Sequence, residues 1–339
     1  MRTKYIIALL LLLPGCGSSG PELAKSGPRI EAAPAATWRA AGPARQSAFS
    51  PDGALLATSD ASGAITIRST RDWKAIERLS HPGGATALHF GTDALYSAGY
   101  DGTVREWDLA RRTAVRTFKG SGATIWTIDI SPDGKRLATG GEDAIIRIWN
   151  LDAPARPIEL RGHSRNIWEV RFSPDGKRLA SCSFDYSVRL WDAEHFRALK
   201  TLVGHRQSCV GLDYSPDGNL LASGGDDSTV RFWRASDGAP LRTIDNGRHV
   251  DKLAFSPDGR FIASGGHPHG ELGELWHEVT GGGGDGSAVR IWRTKDGSLV
   301  ANLPHPDDVY WVAFSRDGRW LVTSGEDNRF RLWQLRRTS

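Results

Sequence analysis

The chain has 339 residues, with 39 glycines, 17 prolines and 13 tryptophans against one methionine. This composition favours short strands joined by tight turns, because glycine and proline punctuate turns and tryptophan suits packed β-sheet. The formal charge of +4 is too small for the long-range field that non-specific nucleic-acid binding needs, and the three cysteines are too few for a disulfide-stapled scaffold.

The first fifteen residues have the order of a secretory signal, with basic Arg2 and Lys4 before an apolar run over residues 6–13. That run is too short to span a bilayer. The ending Leu13-Pro14-Gly15-Cys16 resembles the lipobox of bacterial lipoproteins, which implies cleavage before Cys16 and lipidation of its thiol. The resemblance predicts an exported, lipid-anchored protein, and Gly17, in place of an inner-membrane-retaining aspartate, favours the outer membrane.

Two markers repeat along the rest of the chain. The first is a tryptophan, at Trp107, Trp149, Trp191 and Trp233 with a spacing of 42 residues, then at Trp292 and Trp333. The second is Ser-Pro-Asp-Gly, a hairpin-turn sequence that begins at Ser50, Ser131, Ser173, Ser215 and Ser256, with variants at Ser315 and Gly91. Together they predict seven units of four short strands, the first with Ile65-Thr-Ile-Arg68 in place of its tryptophan strand.

These units resemble the WD40 family over residues 35–337. The resemblance implies an all-β fold, a single seven-bladed propeller of four-stranded antiparallel sheets. Because the sequence ends soon after Trp333, the last sheet needs an outer strand from elsewhere, and we expect the segment around Thr37-Trp38-Arg39 to supply it. The predicted organisation is a signal peptide over 1–15, a flexible tether over 16–34 and the propeller over 35–337.

Four units contain histidine, serine or threonine, aspartate and tryptophan in the same order. They are His81, Ser97, Asp101 and Trp107; His163, Ser181, Asp185 and Trp191; His205, Ser223, Asp227 and Trp233; and His305, Thr323, Asp327 and Trp333. A catalytic triad is one exposed constellation, whereas a set repeated in unit after unit serves the fold, so we predict no enzyme. The WD40 resemblance implies buried structural tetrads. Ser121 replaces the histidine of the third unit and Gly286 the aspartate of the sixth, so we expect these two blades to be looser.

The loops that carry histidine and aspartate share one rim of the ring, and non-repeating residues there are candidates for binding. Large rings on three of these loops, together with nearby charged groups, suit an interface. The candidates are Tyr100, Trp126, Trp168, Phe184, Asp251, Tyr310, His267, His269, Trp276 and His277. The alternative is that the aromatic residues only cap the core.

The sixth unit is longer by 17 residues, and the extra segment, at about 267–284, falls on the same rim. Insertions in repeat proteins often lie on a binding face. Its histidines, with Glu271 and Glu274, are possible zinc ligands, but their spacing matches no established site, and Leu272 and Trp276 fit a recognition loop. We predict no metal and no cofactor.

The sequence therefore predicts a non-enzymatic, monomeric scaffold, anchored in the bacterial cell envelope, that binds a protein or peptide on this rim and no nucleic acid. One alternative is an envelope propeller enzyme, hydrolytic or metal-dependent, that uses the 267–284 insertion, although the sequence has no nucleophile elbow and no phosphate loop. Another is a passive spacer. Cys182 and Cys209 are predicted to be small strand residues, with a disulfide left open.

Overall fold

The computed structural model describes residues 21–154, 156–267 and 288–338. Within these ranges every regular element is a β-strand, and the strands form seven antiparallel sheets of four. Six sheets contain four consecutive strands each, blades 1 to 6, and the seventh combines the last three strands with the first. The predicted seven-bladed all-β propeller is confirmed. The described residues include no helix long and apolar enough to cross a membrane.

The strands of each blade follow from the innermost to the outermost. Blades 1 to 3 contain β2 (Ala44–Phe49), β3 (Leu55–Asp60), β4 (Ala64–Ser69) and β5 (Ala75–Ser80); β6 (Ala85–Phe90), β7 (Leu95–Gly99), β8 (Thr103–Asp108) and β9 (Thr113–Lys119); and β10 (Ile125–Ile130), β11 (Arg136–Gly141), β12 (Ile145–Asn150) and β13 (Ile158–Arg161). Blades 4 to 6 contain β14 (Ile167–Phe172), β15 (Arg178–Ser183), β16 (Ser187–Asp192) and β17 (Arg197–Val203); β18 (Cys209–Tyr214), β19 (Leu220–Gly225), β20 (Thr229–Arg234) and β21 (Pro240–Asp245); and β22 (Lys252–Phe255), β23 (Phe261–Gly265), β24 (Ala288–Arg293) and β25 (Leu299–Pro304). Blade 7 contains β26 (Val309–Phe314), β27 (Trp320–Gly325), β28 (Arg329–Thr338) and β1 (Arg29–Arg39).

Blade 7 closes the ring by pairing the two ends of the chain. Strand β1 lies antiparallel to β28, with Trp38 opposite Phe330 and Arg29 opposite Thr338. The predicted closure by the N-terminal strand is therefore confirmed. The pairing extends back to Arg29 because the edge of β28 has a continuous row of backbone N–H and C=O groups that need hydrogen-bond partners. Residues 29–34, which we expected in the tether, therefore lie in the sheet.

The segment before β1 lies against the outer strand of blade 6. Leu23 forms a parallel bridge with Leu299, and the Ala24 N–H donates to the Leu299 carbonyl at 2.7 Å. Arg293 Nη2 donates to the carbonyl of Ser26 at 3.0 Å. Residues 21–28 were also expected in the tether, and these backbone contacts hold them on the propeller instead. The predicted signal peptide and residues 16–20 lie outside the described residues.

The hydrophobic core lies between neighbouring blades. One cluster joins Ile146 of blade 3 to Leu179 and Trp191 of blade 4, with all three side chains almost completely buried. A single four-stranded sheet cannot cover both of its own faces, so each blade depends on its neighbours and the closed ring leaves no terminal blade exposed.

Candidate partner-binding site

The repeated polar residues are buried and bonded to each other. In blade 4, His163 contacts Asp185 Oδ2 through Nδ1 at 2.8 Å and Ser181 Oγ through Nε2 at 2.7 Å. Trp191 Nε1 donates to the same Ser181 Oγ at 2.8 Å. Burial lowers the pKa of His163, so its imidazole is neutral at pH 7. Blade 5 has the same connections through His205, Ser223, Asp227 and Trp233. Blade 2 links His81, Ser97, Asp101 and Trp107 in the same way, but with the ring nitrogens exchanged, so that Nδ1 contacts the serine and Nε2 the aspartate.

Blade 7 departs from the expected tetrad. His305 contacts Thr323 Oγ1 through Nε2 at 2.8 Å, but its Nδ1 lies 2.9 Å from the carbonyl of Leu303 and not against Asp327. Asp327 instead accepts hydrogen bonds from the Arg331 guanidinium. The expected histidine–aspartate link is absent here, since the imidazole Nδ1 contacts a backbone carbonyl and not the carboxylate. The arginine alone does not explain this, because Arg105 and His81 both contact Asp101 in blade 2.

Blade 6 replaces the tetrad histidine with an amide. Ser264 Oγ donates to Asn246 Oδ1 at 2.8 Å, and Trp292 Nε1 donates to Ser264 Oγ at 2.9 Å. The Asn246 amide oxygen thus contacts the serine hydroxyl in the place of an imidazole nitrogen. The buried Trp292 indole keeps its hydrogen-bond partner. The sequence analysis missed Asn246, and Gly286 lies outside the described residues.

Blade 3 leaves its tryptophan unsatisfied. Ser121 occupies the histidine position, and its hydroxyl donates to Asp143 Oδ2 at 2.5 Å. The serine side chain is too short to reach the centre of the sheet. Thr139 occupies the position of the tetrad serine, but its hydroxyl makes only a long contact of 3.5 Å with the Arg147 carbonyl. Trp149 Nε1 is buried without a hydrogen-bond partner among the described residues. Blade 3 therefore lacks the hydrogen-bonded chain of histidine, serine and tryptophan found in blades 2, 4 and 5.

The central channel of the ring is blocked by side chains that cross it. Lys252 Nζ of blade 6 donates to Glu169 Oε2 of blade 4 at 2.5 Å, and both side chains are 4% exposed. The ammonium also lies 3.8 Å from the ring centroid of Trp311 in blade 7. Trp311 Nε1 donates to the Ser47 carbonyl of blade 1 at 2.9 Å. Blade 5 has Gly211 at this level, so it places no side chain between the lysine and the glutamate.

A second polar layer lies directly beneath this crossing. Arg171 Nη2 contacts Glu169 Oε1 at 2.6 Å, and His89 Nδ1 contacts Asp129 Oδ1 at 3.2 Å. Burial raises the pKa of Asp129 to about 6. For Lys252, burial and the nearby Arg171 outweigh the attraction of Glu169 and lower the pKa to about 8. The two layers form a closed floor.

Above the floor is a cavity of about 280 Å³ that opens on the rim of the histidine and aspartate loops. We call it the cup. It is lined by Arg45, Gln46, Thr86, Trp126, Trp168, Glu169, Asp251, Lys252, His267, Tyr310 and Trp311. Five of the ten predicted rim candidates therefore line one cavity, which gives the rim a defined recess.

One side of the cup continues into an arc of four aromatic rings from three adjacent blades. Tyr100 meets Trp126 edge to face with centroids 5.6 Å apart. Trp126 stacks on Trp168 at 5.0 Å, and Trp168 stacks on Phe184 at 5.1 Å. These four rings, all predicted as rim candidates, are in contact with one another in the structure. All four are partly exposed, so the arc is accessible from the rim.

β-Bulges place the two tryptophans at the mouth of the cup. The pairing of β10 with β11 skips Trp126, and the pairing of β14 with β15 skips Trp168. Thr86, Val210 and Tyr310 are skipped in the same way in blades 2, 5 and 7. An extra, unpaired residue in a bulge breaks the in–out alternation of a strand and redirects its side chain.

The opposite side of the cup is charged. His267 Nδ1 lies 2.9 Å from Asp251 Oδ2, and this hydrogen bond raises the pKa of His267 to about 8. The ring of His249 packs against that of His267 with centroids 4.4 Å apart. Burial raises the pKa of Tyr310 above its usual range. His267 is therefore mostly protonated at pH 7, and His269, Trp276 and His277 lie outside the described residues.

The WD domain, G-beta repeat family matches residues 112–150, 156–192, 196–234, 238–293 and 297–334. The chain belongs to this family. It is 33% identical over 99 residues to a periodic tryptophan protein 2 homolog of Dictyostelium discoideum, a match of 27% of this chain and 11% of that protein. It is 37% identical over 76 residues to WD repeat-containing protein 1 of Xenopus tropicalis, 21% of this chain and 12% of that protein. It is 38% identical over 48 residues to a coronin-like protein of Saccharomyces cerevisiae, 14% of this chain and 7% of that protein.

The WD40 propeller also has polar groups outside the cup. Among the described residues, Asp192, Glu194 and His195 form a cluster of three possible metal ligands on a largely exposed turn of blade 4, where Asp192 also contacts Arg197 at 3.3 Å. A neighbouring arginine competes with a cation for that carboxylate, so we assign the turn no role. Cys182 and Cys209 are free thiols buried in β15 and β18.

The floor of the cup was missed from the sequence. Glu169 and Lys252 occupy equivalent positions in the innermost strands of blades 4 and 6. These blades are not neighbours, so the repeat does not show that the two side chains meet across the channel. The available signal is a charged residue inside an innermost strand, as in Ile167-Trp-Glu-Val-Arg-Phe172. In a WD40 propeller such a residue faces the channel.

Proposed function

We propose that this WD40 propeller is a binding platform that takes a segment of a protein partner into the cup and onto the aromatic arc. The blind cup with four contiguous rings at its mouth is the observation that carries the proposal. Large rigid aromatic side chains bury much area at little cost in conformational entropy, and they dominate the binding energy of many interfaces. Family membership and similarity to other WD repeat proteins support a protein-interaction role.

The proposal includes no catalysis. The histidine and serine side chains of blades 2, 4 and 5 are bonded to one another inside the sheets, and the cup's lysine is bonded to Glu169. A nucleophile needs an accessible side chain next to a base and an oxyanion site. The repeated histidines and serines therefore stabilise the sheets, and the residues that cross the channel close it.

The proposal also includes export and lipid anchoring through Cys16 in the bacterial cell envelope, with the outer membrane favoured. Its support is the order of basic, apolar and small residues before Cys16. In cells that express the full chain, we expect the protein in the membrane fraction and the Cys16→Ser variant in the soluble fraction. Equal distribution of both forms would exclude the anchor.

Affinity capture from solubilised membranes tests the binding role. The bait is the full chain, compared with Trp168→Ala and Trp126→Ala, which each interrupt the arc. Tyr186→Ala is the matched control, because Tyr186 is an exposed ring on the same loop as Phe184 and does not line the cup. We expect partners that the wild type and Tyr186→Ala retain and that both tryptophan variants lose.

A partner set that is identical for all four baits would remove the arc from the function. Unfolding curves of the variants separate a local effect from a global one. The stacked rings lie at the rim, so both tryptophan variants should keep a cooperative transition.

A further inference from the structure

The cup contains one arginine whose charge has no counter-ion among the described residues. Arg45 Nη2 donates to the neutral Tyr100 hydroxyl at 2.7 Å, and its guanidinium lies beside the Tyr100 ring. Its Nε is buried without a hydrogen-bond partner. The residue is only partly exposed, so the charge is partly desolvated and oriented at the wall of the cup.

The other charged groups of the cup are already paired. Lys252 holds Glu169 at 2.5 Å, and Asp251 holds His267 at 2.9 Å. On the neighbouring rim, Asp308 and Glu326 are also engaged in interactions of their own. Arg45 therefore leaves the cup with an uncompensated positive charge.

Two of the rings at the cup already have partners against their faces. Trp168 stacks with both Trp126 and Phe184, and the Trp311 ring carries the Lys252 ammonium. A cation binds to the negative face of a ring, so these contacts compete with a ligand cation for Trp168 and Trp311. The edge of Trp168 carries partial positive charge and favours an anionic oxygen.

We infer that the cup recognises a carboxylate side chain, an aspartate or glutamate in an extended segment of the partner, with Arg45 as its receptor. A guanidinium forms paired hydrogen bonds with a carboxylate, and Tyr100 fixes the guanidinium before the ligand arrives. The floor stops the chain from passing through, so the segment lies across the mouth and inserts a side chain. Its neighbouring apolar residues contact the aromatic arc. This inference rests on the proposed binding function.

Peptide pools test the inference directly. Two pools of acetylated, amidated dodecapeptides have a central Glu or a central Gln and are otherwise random over all residues except Asp and Glu. They are passed over the immobilised full chain, and the retained peptides are quantified by mass spectrometry. A third pool has the central Gln and a free C-terminal carboxylate. We expect retention of the Glu pool about tenfold to a hundredfold above both Gln pools, the range of one charge-assisted hydrogen-bonded contact.

A retained Glu peptide, labelled with a fluorophore, is then titrated by anisotropy against variants. Arg45→Gln should weaken binding about tenfold to a hundredfold. Arg45→Lys should weaken it less, because lysine keeps the positive charge but lacks the two parallel N–H donors of the guanidinium. Tyr100→Phe keeps the ring and removes the hydroxyl that orients Arg45, so a smaller loss is expected. Arg206→Gln is the matched control, because Arg206 is an exposed arginine on the loop before β18, on the same rim but in blade 5 and away from the cup.

Equal retention of the Glu and Gln pools would overturn the inference, as would a preference for the pool with a free terminus. An equal loss in Arg45→Gln and Arg206→Gln would show general charge attraction and overturn it too. Partner capture that depends on Trp168 but ignores Arg45 would reject the carboxylate receptor and keep the platform. Arg45-dependent binding of Glu peptides without any Trp168-dependent partner would support the carboxylate receptor and reject the proposed binding platform.

Discussion

The hydroxyl of Ser181 is the centre of a buried polar network, and its removal has a calculable effect. Ser181→Ala leaves Trp191 Nε1 and His163 Nε2 without the atom that lies 2.8 Å and 2.7 Å from them. An unsatisfied buried polar group costs about 1–3 kcal/mol, so the free energy of unfolding should fall by about 2–4 kcal/mol. Thr139→Val is the matched control, because it deletes the equivalent hydroxyl of blade 3, where Trp149 is already unpaired. Its expected cost is below about 1 kcal/mol.

Urea unfolding, followed by tryptophan fluorescence and by far-ultraviolet circular dichroism, measures both variants. The midpoint should move to lower urea for Ser181→Ala and hardly move for Thr139→Val, with the slope unchanged in both. Equal shifts for the two variants would refute the reasoning, since they would show that the serine hydroxyl contributes only what any buried strand hydroxyl does.

Three further outcomes follow from the same geometry. Ser121→His should give blade 3 the imidazole that it lacks, so that Trp149 gains a partner and the free energy of unfolding rises by about 1 kcal/mol. An unchanged urea midpoint would contradict this. Burial holds the pKa of His305 at about 4, so the unfolded chain takes up the proton first as pH falls from 6.5. The fold therefore loses up to about 3 kcal/mol between pH 6.5 and 4 from this residue, and His305→Gln should flatten the measured slope in that window. Asp251→Asn should lower the pKa of His267 from about 8 towards its ordinary value in an NMR titration, and an unmoved value would exclude the hydrogen bond as the cause.

The propeller could be predicted from sequence because the demands of the fold repeat. Six of the seven blades have a turn with a glycine at positive φ, as at Gly176, and the blades pack a large apolar side chain between sheets, as at Trp191. Two such markers with one period set the number of blades. Closure could be predicted because three strands were recognised in the last sheet and the segment around Thr37-Trp38-Arg39 was unpaired, and β1 does pair with β28.

The features that could not be predicted are those that occur once. Asn246 occupies a histidine position, and His305 contacts the Leu303 carbonyl and not Asp327, although all four tetrad residue types are present in blade 7. The channel crossing joins blades that are not neighbours in the chain. Trp126 and Trp168 were predicted as rim residues, but the bulges that bring them to the cup could not be predicted from the sequence.

The path of the chain before β1 decides how the molecule bears mechanical load. A pull on the N-terminal side of residue 21 is met first by the Leu23 bridge and the two bonds that Arg293 makes to the carbonyls of Ser26 and Pro28. Only after these contacts rupture can tension reach the pair of Arg29 with Thr338 and peel β1 from β28. The contacts with blade 6 thus shield the β1–β28 pairing, which closes the ring, from tension applied at the N-terminal side.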